Sequence, residues 1–388
     1  MTSEREKRNA SQVSPSESWV DEAWRRALEK TLTNAKRIGA GFPHASEGGR
    51  YGLAEPEWWT AGFWPGMLGL LYSGSGEEEL ARLAGECEER LDSVLDGFVR
   101  LDHDLGFMWT LTSVASYKRS GSEASRIRAL KAANYLAGRF NLKGGFLRAW
   151  NPWHEGDRNT GLAIIDCCMN VSLLFWASRT SGDPRYAHVA EAHMDTVVKH
   201  FVRADGSVYH VVLFDPITGE RQEALGGQGY APESAWSRGT AWALYGLTLA
   251  YHHTGKADYL EAAQRVANFF LSRLPDDLIP AWDFRAPLEL QELRDSSAGA
   301  CAASGLLLLA DKGGEEDGHV YRRMGERLLQ ALDERCGSWN DAQEEGLLKH
   351  GTSHYPEQRN LDVPLIYGDY FFVEGLARLK GIGPIPWE

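Results

Sequence analysis

Asp102, His103 and Asp104 stand directly before an apolar run, LGFMWTLTSVAS. Another carboxylate, Asp166, takes the same place further along, in GLAIIDCCMNVSLLFWAS. Aspartate is a favoured helix N-cap and suits the positive end of the helix dipole, which would explain both positions without chemistry. Two carboxylates in unlike surroundings can also separate a proton donor from an anionic stabiliser. Asp166 is flanked by Ile164, Ile165, Cys167, Cys168 and Met169. Apolar neighbours disfavour the ionised form, so Asp166 is expected to carry a raised pKa and to act as the acid. Asp104, beside His103, is expected to stay ionised.

Other polar groups gather near the starts of apolar segments. Arg238 opens one of them, in SRGTAWALYGL. A guanidinium there could grip a ligand carboxylate bidentately, or pair with Glu233 or another acid. His210 and Gln228 lie in the stretch just before it. Trp58, Trp59 and Trp64 surround another segment start, and Trp150 and Trp153 lie in a loop. The chain has 14 tryptophans. Most should fill the core, but flat aromatic faces also suit the apolar faces of sugar rings. Other chemistries lack their signatures: there is no HExxH, GxSxG or P-loop, and GGQG at 226–229 follows no clear strand. His350 and His354 have metal-like spacing but no third ligand in sight, so no metal or cofactor is expected.

The elements that must hold these groups repeat. Five stretches pair an apolar run, buried all round, with a glycine-containing turn and then an amphipathic run; AWALYGLTLAYHHTGKADYLEAAQRVANFF is one. The first run of each should be an inner helix and the second an outer one. Segments from Trp19 to about 38 and from about 367 to 380 could form a sixth hairpin across the termini. Six inner and six outer helices make an all-α (α/α)6 barrel; a superhelical solenoid is the competing arrangement. The long inserts, 141–165, 203–235, 274–295 and 337–366, all precede inner helices, so they should crowd one end and form a pocket there. Residues 207–222 are expected to form a small β-hairpin turning at Asp215-Pro216 and Gly219. Residues 1–17 look like a disordered arm, and 18–388 a single domain.

The net charge is −13, from 41 basic and 54 acidic residues, and no basic stripe is present, which argues against nucleic acid. No stretch is apolar enough to span a membrane, and the N-terminus lacks the apolar segment of a secretory signal. Five cysteines, an odd and sparse set, suggest reduced thiols and a cytoplasmic setting. Oligomeric state is not legible.

From about Trp19 onward the chain resembles the unsaturated glucuronyl hydrolases, glycoside hydrolase family 88. The resemblance rests on WTAGFWPG at 59–66, HDLGF at 103–107, IIDCCMNVSLLFWAS at 164–178, SRGTAWALYGL at 237–247 and IYGDYFFVEGL at 366–376. It implies an (α/α)6 barrel that hydrates the C4=C5 double bond of an unsaturated uronate at the non-reducing end of lyase-generated oligosaccharides. It further implies Asp166 as general acid and base and Asp104 as the second essential aspartate. His103 and His210 would contact sugar or water, Gln228, Arg238 and Trp242 would surround the uronate, and Trp59 and Trp150 would stack on rings. The partner is then an unsaturated uronate oligosaccharide. Two other readings are an unsaturated rhamnogalacturonyl hydrolase and a carbohydrate-binding barrel without chemistry.

Overall fold

The computed structural model describes Pro15 to Glu388, with backbone only at residues 15–18 and 315–316. Most of the expected arm thus lies outside the described residues, and residues 15–17 already belong to the first helix. Proline suits a first helical turn, where its missing N–H has no partner to lose. In chain order the long helices are α1 (Pro15–Ile38), α2 (Phe63–Ser75), α3 (Glu78–Arg90), α4 (105–120), α5 (Glu123–Ala137) and α6 (167–181). They continue with α7 (Arg185–His200), α8 (Ser237–Thr254), α9 (Ala257–Ser272), α10 (Ser296–Lys312), α11 (Glu315–Cys336) and α12 (Ile366–Lys380). A π-helical turn at Thr110–Val114 interrupts α4.

The even-numbered helices form the inner ring. Each packs against the next, and α12 packs back on α2, which closes the barrel and excludes an open solenoid. α1 lies outside α12, so the sixth hairpin does join the two ends of the described chain. The physical cause is visible in single helices. Every residue from Ser237 to Ala250 of α8, and from Ser296 to Leu309 of α10, is buried. Each large apolar side chain taken out of water contributes roughly 1.5–3 kcal/mol, so such helices persist only inside a ring. Gly76, Gly121, Gly182 and Gly255 end inner helices in the left-handed conformation, each returning its N–H to the carbonyl four residues back.

Short strands decorate one end: β1 (Pro43–Glu47), β2 (Arg50–Leu53), β3 (Phe140–Asn141), β4 (Phe146–Leu147), β5 (Leu162–Ile164), β6 (Val211–Phe214) and β7 (Arg221–Leu225). The expected hairpin is β6–β7. Asp215 Oδ1 accepts the N–H groups of Ile217 and Thr218 at 2.8 and 2.9 Å and so builds its turn. The structure adds β5 as a third strand, in the order β5-β6-β7. Ile164 pairs with Val211, and the Ile165 N–H donates to the His210 carbonyl at 2.9 Å. That register brings Asp166 and His210 to the same strand ends. Among the described residues, the five cysteines are free and buried, and no helix is long and apolar enough to cross a membrane.

Candidate active site

A cavity of about 860 Å³ opens at the decorated end, lined by residues from 44–59, 100–104, 150–166, 210–238 and 353–360. Asp104 and Asp166 both reach it. Each occupies the N-cap position of its helix, yet neither side chain makes a capping hydrogen bond. Asp102 serves the local turn instead, accepting the Asp104 N–H at 2.8 Å. The two carboxylates are left free for the cavity.

Asn170, one turn into α6, joins them. Its Oδ1 accepts the Phe107 N–H at 2.6 Å, which fixes the orientation of the amide. Its Nδ2 then faces Asp104 Oδ1 at 3.2 Å, His103 Nδ1 at 3.4 Å and the Asp166 carbonyl at 3.4 Å. An amide nitrogen only donates, so a hydrogen bond to His103 Nδ1 requires that nitrogen to accept, with the ring proton on Nε2. That N–H lies 3.6 Å from Asp104 Oδ2. The same logic holds for His210. The Gln228 N–H donates to its Nδ1 at 2.9 Å, which places its proton on Nε2, 3.5 Å from Asp166 Oδ2. Each aspartate is therefore faced by one imidazole N–H. His103 Nε2, His210 Nε2 and Asp166 Oδ2 are buried without a hydrogen-bond partner among the described residues. Two of these, His210 Nε2 and Asp166 Oδ2, belong to residues lining the cavity, where a ligand or water can satisfy them.

The electrostatics reverse the expectation from sequence. Burial pushes the Asp104 carboxyl up, and the nearby charges of Asp102 and Asp166 push it further, to well above its ordinary value. Burial also acts to raise Asp166, but the facing His210 N–H and the Arg238 charge act against it, and the balance lies below the ordinary value. His103 is driven down to about 3 by burial and is neutral. The two carboxylates are thus pushed in opposite directions, Asp104 up and Asp166 down. The apolar residues beside Asp166 in sequence are buried in the barrel wall. The groups around its carboxylate come instead from the β6 end and from α8, which sequence adjacency does not reveal.

Arg238 departs from expectation as well. It is 1% exposed and lies against Asp295 at 2.6 Å. Nη1 also donates to the Thr352 carbonyl at 2.7 Å, and Nη2 to the Ser353 carbonyl and Gln228 Oε1, both at 2.7 Å. The rings of Trp236 and Tyr367 lie 4.6 and 5.0 Å from the guanidinium carbon. Both terminal nitrogens are held by protein oxygens, so the expected bidentate grip is already occupied. Arg238 holds Gln228 in place.

Relatives decide the family. The chain is 39% identical over 359 residues to the unsaturated glucuronyl hydrolase of Bacillus sp. (strain GL1), covering 91% of this chain and 95% of that protein. The chain belongs to the unsaturated glucuronyl hydrolase family. It is 33% identical to the unsaturated chondroitin disaccharide hydrolase of Streptococcus pyogenes serotype M1, over 92% of this chain and 90% of that one. The crystal structure of the Bacillus sp. GL1 enzyme superposes with a TM-score of 0.90 at 37% identity, covering 94% of this chain and 97% of the other. A further solved structure, named for dGlcA-Glc-Rha-Glc, gives 0.90 at 36% identity, over 93% and 97%. No family model matches the chain. The protein is thus a glycosidase of the unsaturated glucuronyl hydrolase type.

In this hydrolase Asp104, Asp166, His210, Gln228, Arg238, Trp59 and Trp150 line one cavity. His103 and Trp242 do not. His103 is fully buried behind Asp104, and Trp242 packs against Phe107 and Phe371 with ring centroids 5.1 and 5.4 Å away. Trp242 is a core residue because the α8 face that carries it points into the ring. Trp64 is also buried, donating to the Gly39 carbonyl at 3.0 Å. Sequence reading missed Asn170, His44 and Trp236. The Trp236 ring lies 4.3 Å from that of His210, and His44 accepts the Trp58 indole N–H at 3.3 Å. Asn170 stood one helical turn from Asp166, a spacing that puts both on one helix face.

Proposed function

We propose that this chain hydrates the C4=C5 double bond of an unsaturated uronate at the non-reducing end of lyase-generated oligosaccharides, glycosaminoglycan disaccharides foremost, as a member of glycoside hydrolase family 88. The observation that carries the reading is the pair Asp104 and Asp166, bridged by Asn170 and each faced by an imidazole N–H. The names of the relatives point to the same substrates.

The substrate carboxylate brings negative charge beside Asp166 and excludes water. Both effects raise the Asp166 pKa and favour its protonated form. Asp166 then protonates C4. Positive charge develops at C5 and the ring oxygen, where ionised Asp104 stabilises it. Water adds at C5 and returns a proton to Asp166. The C5 hemiketal opens to a ketone, the ring oxygen becomes a hydroxyl on C1, and that hemiacetal releases the aglycone. One water is consumed and Asp166 regains its proton. His210 and Gln228 position the sugar, and Trp59 and Trp150 offer aromatic faces to it. The buried free thiols favour a cytoplasmic location.

Turnover of an unsaturated disaccharide in deuterium oxide tests the chemistry. The vinyl proton signal should vanish in step with aglycone release, and deuterium should appear at C4. Release of aglycone with the double bond intact would mean attack at the anomeric carbon and overturn the reading. Turnover of rhamnogalacturonan fragments alone would assign the pectin-directed activity instead.

A further inference from the structure

The cavity does not end at the uronate pocket. Trp150 is half-buried over a small apolar cluster of Ala149, Leu162, Ile164, Val211 and Leu213. Trp153 follows it outward along the same cavity wall, with ring centroids 5.6 Å apart and planes tilted by 34°. Trp153 is 71% exposed, so packing does not explain its place.

Hydrogen bonds tie together the loop that presents it. Asp157 accepts the N–H groups of Trp153, His154 and Asn159 and closes the turn. Asn159 Nδ2 donates to the Asn151 carbonyl at 2.9 Å, tying the two ends of the loop together. Asn151 is anchored in turn. Its Oδ1 accepts from Arg139 at 2.8 Å, and its Nδ2 donates to the Leu101 carbonyl at 2.9 Å. Arg139 also donates to the carbonyls of Leu101 and Ala149, at 2.8 and 2.9 Å. The network thus holds the backbone that presents an exposed indole at the mouth of a cavity lined by the aspartates.

We propose that Trp153 is a distal sugar subsite that stacks on the aglycone of substrates longer than a disaccharide. This rests on the functional reading above and adds chain length to it. An indole face buries the C–H face of a pyranose as it would any apolar ring. A loop already tied by these hydrogen bonds has less to order on binding, which preserves the gain. The volume of about 860 Å³ lies high in the usual range for small-molecule pockets and leaves room beyond two rings. The rim is polar, with Arg100, Arg359, Glu57 and Glu357, so the indole provides an apolar platform among groups that can meet sugar hydroxyls.

The test compares hyaluronan-derived unsaturated disaccharide and tetrasaccharide on wild type and Trp153→Ala. The tetrasaccharide kcat/KM should fall about fivefold, through KM, which is the size of one aromatic contact. Disaccharide turnover and thermal stability should not change, and Trp153→Tyr should restore most of the loss. An unchanged tetrasaccharide kcat/KM, or an equal loss on both sugars, overturns the subsite. If wild type turns over neither sugar, the functional reading falls instead. Calorimetric binding of the two sugars to both proteins then decides the subsite: weaker tetrasaccharide binding to Trp153→Ala supports it, and equal binding overturns it.

Discussion

Gly106 lies directly against the backbone of Asn170. A Cβ on Gly106 would stand 2.2 Å from Asn170 Cα and 2.3 Å from its carbonyl oxygen. No side chain fits there, so α4 and α6 meet backbone to backbone at the point where they carry Asp104 and Asp166. This contact fixes the spacing of the two carboxylates and lets one amide reach both helices. Gly106→Ala should therefore separate the helices. Overpacking of this kind costs about 1–3 kcal/mol, and a displacement near 1 Å can cost about 10²-fold in rate. Thermal unfolding together with kcat would show both losses; wild-type values in either would mean the crossing is not what sets the site.

Asn170→Ala should be harmful for a different reason. It leaves the buried Phe107 N–H without an acceptor, at a cost of roughly 1–3 kcal/mol, and removes the donor that restrains Asp104. Losing that donor lets the Asp104 pKa rise further. The fall in stability by urea unfolding should come with an upward shift of the alkaline limb of kcat/KM. A stability loss with an unmoved limb would confine Asn170 to a packing role.

The opposed shifts of the two aspartates make a defined pH profile. Below the depressed pKa of Asp166 both carboxyls are protonated, and above the raised pKa of Asp104 both are ionised. The kcat/KM of the hydrolase should fall at both ends, with the acid limb below the ordinary carboxylate range and the alkaline limb above it. Asp102 contributes part of the repulsion that raises Asp104. Asp102→Asn should thus move the alkaline limb to lower pH, with kcat retained because the introduced amide oxygen can still accept the Asp104 N–H. An unmoved limb would show that Asp104 is not the group that titrates there.

Arg238→Ala should damage the fold before it damages binding. It strands Asp295, which is fully buried, and breaking one partner of a buried pair costs about 3–5 kcal/mol. It also frees the carbonyls of Thr352 and Ser353 and the Gln228 side chain. Denaturant unfolding should show the loss directly. Full stability with a raised KM alone would restore the direct carboxylate grip.

The barrel was legible because inner and outer helices differ in apolar pattern along their whole length, as α8 and α9 do, and because glycines mark the turns between them. The two aspartates were legible from their repeated place at helix starts. Their protonation was not. Asp166 is surrounded in sequence by apolar residues and in space by His210 and Arg238, which arrive through a strand pairing and a helix far along the chain. β5 is three residues long, too short for a periodic signal. Arg238 announced a charge but not its acceptors, since Asp295 and the carbonyls of Thr352 and Ser353 lie more than fifty residues away. Trp242 and Trp59 could not be told apart by type; only the helix face that each occupies sends one to the core and the other to the cavity.

The most direct test of the central claim follows the ultraviolet absorbance of the conjugated C=C–carboxylate while the protein acts on an unsaturated chondroitin disaccharide. The absorbance should fall with wild type. Asp166→Asn, which folds and binds but cannot donate to C4, should lose about 10²–10⁴-fold in rate. A steady signal with wild type across chondroitin, hyaluronan, heparin and gellan fragments, or an undiminished rate with Asp166→Asn, would contradict the assignment of Asp166 as the group that protonates the double bond.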